Sequence, residues 1–197
     1  MSARPLVLLA LLTAGCLAEG GPPPPDRAAL RAEWAAWRAE RDSLFASAGS
    51  PLPPPARAAF DGLPYYPYDS LRAVTASFVP RTSQDTVRFP TTTAELRPFV
   101  AAGHLTFVMD GAPRRLAVFQ SVGGAPRLFL PFRDATSGEA TYGAGRYIDL
   151  DLNPSGRYAL DFNRAYNPYC AYDPAYSCPL PPAENTLTLS LGAGELH

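Results

Sequence analysis

Polar residues that could bind a small molecule are concentrated in the segment 133–147. It holds Asp134, Thr141, Tyr142 and Arg146 among several glycines. Glycines could let backbone N–H groups turn toward an anion, and an arginine supplies a rigid two-pronged donor. The segment therefore predicts a site for a carboxylate or phosphate. The alternative is a tight turn held by an Arg–Asp pair, and the glycine spacing matches neither a phosphate loop nor a dinucleotide fingerprint.

A second group of polar side chains follows near the end of the chain: Asp161, Asn163, Asn167, Glu184 and Asn185. Amide and carboxyl side chains of this kind can hold irregular loops by bonding backbone groups, or can line a polar pocket. We expect these loops to lie against the first segment at one end of a sheet, where both would contribute to one ligand site.

Catalytic chemistry is less well supported by the residue types. Ser137 and Thr141 could be nucleophiles, but neither has an obvious histidine partner, and His104 and His197 are the only histidines. A carboxylate mechanism stays open, although no spacing selects it. No metal and no cofactor are predicted, because a zinc site needs about four ligands and neither histidine is suitably spaced from the cysteines.

Cys170 and Cys178 are separated by seven intervening residues in a turn-rich segment. In an exported protein such a pair predicts a disulfide, which would constrain the unfolded chain by roughly 2–3 kcal/mol. Buried reduced thiols and a metal site are the alternatives.

The overall charge excludes two classes of protein. The 197 residues carry 17 basic and 18 acidic side chains, a formal net charge of −1, with 47% hydrophobic residues. A chain this apolar is not disordered through charge repulsion. Since nucleic-acid binding needs a basic excess, no nucleic-acid partner is predicted.

The first residues have the plan of an export signal. Arg4 precedes the apolar run Leu6–Leu12, which is too short to span a bilayer, and small residues lead to Cys16. The stretch "LLTAGC" resembles the bacterial lipobox, in which the cysteine is acylated. We therefore expect a signal peptide over 1–15, a lipidated Cys16 with a Pro/Gly spacer over 16–25, and one β-rich domain over 26–197. The partner would be a lipid bilayer, and the location the bacterial cell envelope; plain secretion is the alternative.

The remaining pattern predicts a mainly β (α+β) fold. Asp26 can cap a helix whose apolar positions recur at spacings of three, four and seven and which ends near Ser47–Gly49. Its two tryptophans are expected to pack on a sheet rather than to form a ligand surface. About eight short strands with frequent turns predict an antiparallel sandwich or barrel. They are expected over 71–79, 85–89, 105–109, 116–119, 127–132, 147–152, 157–162 and 186–191.

The turn "NPSG" permits a further prediction about register. Pro154 and Gly156 suit a three-residue loop that pairs Asn153 with Arg157. This register places Asp149 opposite Asp161, and like charges at that distance destabilise a sheet. A nearby arginine, such as Arg146, is the expected compensation. Screening by water, a cation or a shared proton are the alternatives.

Long polar and aromatic stretches resemble a known family. Segments 128–152 and 160–195, together with "FDGLPYYPYD" over 60–69, are similar to the bacterial and archaeal family called domain of unknown function 1684. The likeness runs from about Trp34 to Glu195 and implies no activity, substrate or cofactor. Two departures stand out: the family often has histidine in the stretch matching 53–57, and it often ends in "AGEK" where this chain continues with Leu196. Any catalytic role of either position would be absent here.

Three functions follow from these observations as hypotheses. The first is an exported lipoprotein whose β domain binds a small polar or anionic ligand. The second is a hydrolase-like enzyme with carboxylates at Asp149 and Asp161. The third is a structural or protein-interaction module of the envelope, which a closed surface around Arg146 would favour.

Overall fold

The computed structural model describes residues 26–197. The predicted signal peptide over 1–15, lipidated Cys16 and spacer over 17–25 lie outside the described residues. Within 26–197, no helix has both the length and the apolar character needed to cross a membrane.

The main helix, α1, spans Arg27–Ala46 and begins as its sequence predicts. The Asp26 carboxylate accepts hydrogen bonds from the N–H groups of Ala28 (3.0 Å) and Ala29 (3.1 Å) and so caps the first turn. Leu30 and Phe45 are buried, and Trp34 and Trp37 are half-buried. A short second helix, α2, spans Pro54–Ala58.

Seven antiparallel strands form one nearly closed, barrel-like sheet, which confirms the predicted fold class. Its neighbours run in the order β6, β5, β4, β3, β1, β7, and β2 pairs with β3 beside this path. The strands are β1 (Ala73–Pro80), β2 (Thr86–Pro90), β3 (Leu96–Met109), β4 (Ala112–Ser121), β5 (Arg127–Phe132), β6 (Arg146–Asp151) and β7 (Arg157–Asp161).

The hairpin of β3 and β4 forms at the predicted "DGAP" turn. Met109 pairs with Ala112, leaving Asp110 (φ 50°) and Gly111 (φ 73°) as the two loop residues. Two successive positive φ angles match the twist of the flanking strands in a two-residue turn. β3 begins nine residues earlier than predicted, because its first half pairs with β2.

The predicted pairing of β6 with β7 is wrong. The turn itself forms, with Gly156 at φ 66° and its N–H donating to the Asn153 carbonyl oxygen (3.0 Å). The two strands then diverge to opposite ends of the strand order, β6 pairing with β5 and β7 with β1. Asp149 therefore lies opposite Phe129, and Asp161 opposite Ala73, so the predicted carboxylate pair does not exist.

The predicted eighth strand over 186–191 is also wrong. Leu187 and Leu191 are buried in the core, which accounts for the apolar alternation. The backbone of this segment does not join a strand ladder and is hydrogen-bonded to the loop after β5 instead. The N–H of Leu187 donates to the Arg133 carbonyl oxygen, and the N–H of Leu191 donates to the Asp134 carboxylate.

The sheet is apolar on both faces. One face packs a large core that includes Leu105, Val118, Leu130 and Phe162. On the other face lies a smaller, mostly aromatic cluster: Phe89, Phe99, Ala101, Ala117, Phe119, Phe129 and Tyr147. Because helix and loop cover this second cluster only partly, it forms the floor of an open cleft.

Candidate functional site

A cleft of about 670 Å³, here called the aromatic cleft, lies over the second face of the sheet. Its floor comes from β3, β5 and β6, and its walls from the middle of α1 and the loop 166–179. The described lining residues are Trp37, Arg41, Arg97, Phe99, Ser121, Ala125, Arg127, Phe129, Tyr147, Asp149, Tyr166, Pro168, Tyr169, Ala175, Tyr176, Ser177, Cys178 and Pro179.

Stacked rings give the floor its flat apolar surface. Phe99 and Phe129 are nearly parallel, with ring centroids 5.2 Å apart. Tyr147 meets Phe129 edge-on at 4.7 Å, and Tyr166 meets Tyr147 at 5.8 Å. The Tyr147 hydroxyl donates to the Pro179 carbonyl oxygen, and burial raises its pKa, so it stays neutral. This floor suits an apolar or aromatic part of a ligand.

Two arginines on strands supply positive charge at the edge of this floor. The Arg97 side chain is exposed and forms no ion pair or side-chain hydrogen bond with any residue of 26–197. Arg127 is 48% exposed and lies 3.8 Å from Asp149 and 3.6 Å from Asp151. Ion pairs this long and exposed are weak. Both guanidinium groups can therefore turn toward an anion in the cleft.

Arg41 of α1 lines the cleft from a fixed position. Its Nη2 donates to the Glu195 carboxylate (3.0 Å), and its Nε donates to the Tyr65 hydroxyl (3.1 Å). Its guanidinium also lies 4.7 Å from the centre of the Tyr166 ring. Burial opposes its charge, but Glu195 and the two tyrosines together raise its pKa. The Arg41 guanidinium therefore stays charged and is held in one position by Glu195 and Tyr65.

One carboxylate, Asp149, faces these cations. It accepts a hydrogen bond from the Tyr166 hydroxyl (2.8 Å). Burial raises its pKa, against the opposing effects of Tyr166 and Arg127. The described lining thus carries three arginines and one carboxylate: Arg41 is paired with Glu195 and Arg127 with Asp149 and Asp151, which leaves the Arg97 side chain without a partner within 26–197.

Arg146, the central residue of the sequence prediction, is buried behind the cleft. Its side chain is 1% exposed, and Nη1 donates to the carbonyl oxygens of Ala193 (2.5 Å) and Glu195 (3.2 Å). Nη2 lies 3.5 Å from the Asp134 carboxylate. Burial lowers the pKa of Arg146, and the Asp134 charge works against that decrease. Its donors hold the C-terminal segment in place.

Glu195 joins the two segments that the sequence predicts to converge. Its backbone accepts from Arg146, and its side chain accepts from the Asn167 N–H (3.0 Å) and from Arg41. The carboxylate is fully buried, and its Oε1 has no partner within 26–197. Burial therefore raises its pKa to about 7, although Arg41 opposes the shift. We call Arg41, Asp134, Arg146, Asn167 and Glu195 the Glu195 network.

The other predicted residues of the first segment support this network. Thr141 and Thr136 share a hydrogen bond (2.9 Å), and Thr136 donates to Asp134 (2.7 Å). The Tyr142 hydroxyl donates to the Cys170 carbonyl oxygen (3.4 Å), and burial raises its pKa to about 12.

The remaining predicted residues lie in two separate places. The Asp161 carboxylate accepts a hydrogen bond from the Asn163 side-chain amide. The same amide donates to the Asp69 carbonyl oxygen and accepts from the Asp69 N–H. Asn185 bridges β4 and β5 through Ala117 and Pro131. Glu184 is exposed and lies 3.6 Å from His104. None of the nine predicted binding residues is among the described residues that line the cleft.

Cys170 and Cys178 lie side by side under one wall of the cleft. Both are buried, and the Cys170 N–H donates to the Cys178 sulfur (3.2 Å), but no disulfide joins them. Hydrogen bonds from Cys178 and Tyr142 lower the pKa of Cys170 to about 6, against the effect of burial. Within 26–197, no group of three or more His, Cys, Asp or Glu side chains is placed to hold a metal ion.

A sequence signal for the cleft residues exists in the strands. Arg97 and Phe99, Arg127 and Phe129, and Tyr147 and Asp149 are each two residues apart, so each pair shares one face of its strand. That spacing indicates a polar and aromatic strip. Loops leave this strip open while they cover the 133–147 segment, and polar crowding alone does not point to the residues that line the cleft.

Comparisons with known proteins agree with this fold. The model of the family "Protein of unknown function (DUF1684)" matches residues 58–196. An uncharacterised protein from Haloarcula marismortui, solved in solution by NMR, is 36% identical, with a TM-score of 0.70 over 87% of this chain and 96% of that one. No curated protein matches significantly. The chain therefore belongs to the DUF1684 family, as its polar and aromatic motifs predicted.

Proposed function

We propose that this protein is an exported lipoprotein whose β domain binds a small anionic ligand in the aromatic cleft. The ligand would carry a carboxylate or phosphate together with a flat apolar part. The observation that carries this proposal is the combination of unpaired and weakly paired cations with stacked rings: Arg97, whose side chain has no partner within 26–197, and Arg127, held only by long, exposed ion pairs, border a floor of Phe99, Phe129 and Tyr147.

The anionic class follows from how the lining charges are matched. The Asp149 carboxylate already accepts a hydrogen bond from the Tyr166 hydroxyl, whereas the Arg97 side chain has no hydrogen-bond or ion-pair partner within 26–197. A ligand anion would gain charge-assisted hydrogen bonds from Arg97 and Arg127 without displacing a strong protein pair. A cation would have to compete with Arg127 for Asp149 and would meet three arginines.

The residues first predicted to bind the ligand act behind the cleft in this proposal. Arg146 and Asn167 hold Glu195, and Glu195 holds Arg41 in the wall. They are positioning residues, because the Nη groups of Arg146 and the N–H groups of Asn167 donate to protein atoms. The same wall includes Tyr169, Tyr176 and Cys178. A disulfide between Cys170 and Cys178, formed after export, would fix that wall.

The ligand proposal can be tested by NMR titration of the protein with phenyl phosphate, inorganic phosphate and neutral benzyl alcohol. We expect phenyl phosphate to bind most tightly and to shift the amide signals of Arg97, Arg127 and Tyr147. Arg97→Gln should weaken binding about tenfold, the loss of one charged hydrogen bond. Arg88→Gln on β2 is the matched control and should bind like the unaltered protein. Equal affinity for benzyl alcohol, or shifts confined to other surfaces, would refute the proposal.

Export and anchoring have separate tests. Intact-mass analysis of the membrane fraction should give a chain that begins at Cys16 and carries acyl groups, and Cys16→Ser should give no acylated chain. Alkylation of the exported protein without reductant should leave Cys170 and Cys178 unlabelled. Labelling of both would refute the disulfide without affecting the ligand proposal.

A structural or protein-interaction module of the cell envelope is the second candidate function. The observation that favours it is the closed surroundings of Arg146, whose Nη groups are bonded by protein acceptors. In that case the cleft would bind none of the three probes.

A further inference from the structure

A second concave surface lies where the described chain begins. This groove, of about 710 Å³, is lined by Arg27 at the start of α1 and by parts of β1, β3 and β4. Arg115 of β4 contributes a second exposed cation and lies on the same face of the sheet as Val108, which is 61% exposed. Arg114 also lines the groove, but it is half-buried and its side chain lies on the opposite face. We call Arg27, Arg115 and Val108 the arginine groove.

The described residues do not neutralise the charge of this groove. Within 26–197, neither Arg27 nor Arg115 forms an ion pair or a side-chain hydrogen bond. The acidic residue at the tip of the same hairpin, Asp110, is bonded by Arg72 at 2.9 Å. Arginines near a membrane surface are attracted to anionic lipid headgroups, and an exposed aliphatic side chain beside them can lie at the boundary of the acyl region.

The chain's own geometry indicates which partner would meet this surface. Ten residue steps separate Cys16 from Asp26. An extended chain covers at most about 3.6 Å per step, so an acylated Cys16 would hold Asp26, the residue before Arg27, within about 36 Å of the bilayer. The proline-rich sequence of that stretch favours a semi-rigid spacer.

We propose that the arginine groove binds the anionic headgroups of the membrane in which the protein is anchored. This inference rests on the anchoring part of the proposed function. The headgroup phosphates would be bonded by Arg27 and Arg115, and Val108 would meet the boundary of the acyl region.

This docking would also set the position of the aromatic cleft. Arg41 lies fourteen residues after Arg27 on the same helix, a rise of about 21 Å. The groove would face the bilayer while the cleft opens farther from it, toward a dissolved ligand.

The test uses the full-length chain with Cys16→Ser, which removes acylation and leaves any contact of the domain measurable. Affinity is measured for vesicles of phosphatidylcholine alone and with 30 mol% phosphatidylglycerol. The apolar run near the N-terminus and Arg4 are common to all variants, so differences between variants report the groove.

We expect tighter binding to the anionic vesicles, weakened by high salt. The double variant Arg27→Gln, Arg115→Gln should reduce this affinity at least tenfold. The control double variant Arg81→Gln, Arg88→Gln removes the same amount of charge from exposed positions elsewhere. This control should keep the affinity of the parent for anionic vesicles. Both doubles alter exposed side chains and should unfold at the same urea concentration as the parent.

Equal loss in the control, unchanged binding in the groove variant, or no preference for anionic vesicles would overturn the proposal. The acylated mass of the unaltered protein is measured independently. Normal acylation without an anionic preference would contradict the groove alone, whereas missing acylation would contradict the anchoring on which it rests.

Discussion

The Glu195 network and the aromatic cleft both use arginine, but they place it in opposite surroundings. Arg146 is 1% exposed, and its Nη atoms are bonded by two carbonyl oxygens and a carboxylate. The Arg97 side chain is exposed and has no hydrogen-bond or ion-pair partner within 26–197. A guanidinium matched by protein acceptors stabilises the fold, whereas an unmatched one beside aromatic rings is available to a ligand.

Arg41 connects these two regions. It is held by Glu195 on the network side and lines the cleft on the other. Its position explains why a C-terminal segment without regular structure matters to the cleft wall. The difference between the regions leads to predictions that separate stability from binding.

The largest effect is expected from Arg146→Met. Removing the guanidinium takes the positive charge away from the buried Asp134 carboxylate and the N–H donor away from two buried carbonyl oxygens. The loss costs about 3–5 kcal/mol of unfolding free energy. Urea unfolding measures this loss. Arg97→Met is the matched control and should change the unfolding free energy by less than about 0.5 kcal/mol. Similar values for both variants would contradict the distinction between the two regions.

The next effect concerns how closely the C-terminal segment approaches Arg146. Gly194 has φ 83°, and a Cβ there would lie 2.8 Å from the Ala165 carbonyl oxygen and 2.9 Å from Arg146 Nη1. Gly194→Ala should therefore cost about 3 kcal/mol, through backbone strain and a steric clash.

Gly111→Ala separates these two causes. Gly111 has φ 73°, but nothing lies within 4 Å of its added Cβ. It should cost only about 1 kcal/mol from strain, measured by the same urea unfolding. Equal costs at the two glycines would show that the C-terminal segment is not tightly packed on Arg146.

A smaller effect should appear in the pH dependence of stability. Burial raises the pKa of Glu195 to about 7, above its ordinary 4.5, so the folded state binds the proton more tightly than the unfolded state. The contribution of Glu195 is therefore present at low pH and is lost as pH rises, by about 2 kcal/mol between pH 5 and 7.5.

Glu195→Gln stays neutral and should remove this part of the pH dependence. Unfolding free energies of both proteins at several pH values provide the measurement. Parallel pH curves for the two proteins would show that Glu195 is ionised throughout, in contradiction to its buried, unpartnered Oε1.

Local sequence features predicted much of the fold because their causes are local. The Asp26 cap, the "DGAP" turn and the Gly156 turn all form where composition and spacing predict them. The pairing of β6 and β7 failed because a correct turn does not fix the direction in which its strands leave. Tertiary contacts draw β7 to β1 and β6 to β5.

The candidate site was harder to predict, because polar residues crowd wherever loops need hydrogen bonds. Arg146 and Asn167 do meet through Glu195, yet the Nη groups of Arg146 and the N–H groups of Asn167 donate to protein acceptors. The cleft residues, such as Phe99 and Phe129, come from strands far apart in sequence. Only the order of the strands in the sheet shows that these rings share one floor.

The most direct test of the distinction between matched and unmatched arginines is thermal unfolding of the protein and of its Arg97→Gln, Arg127→Gln double variant, with and without phenyl phosphate. Without the probe, the two proteins should melt within about 2 °C of each other. At about ten times the dissociation constant, the probe should raise the melting temperature of the unaltered protein alone, by about 3 °C. A double variant that melts far lower without the probe, or that gains as much from it, would contradict the account.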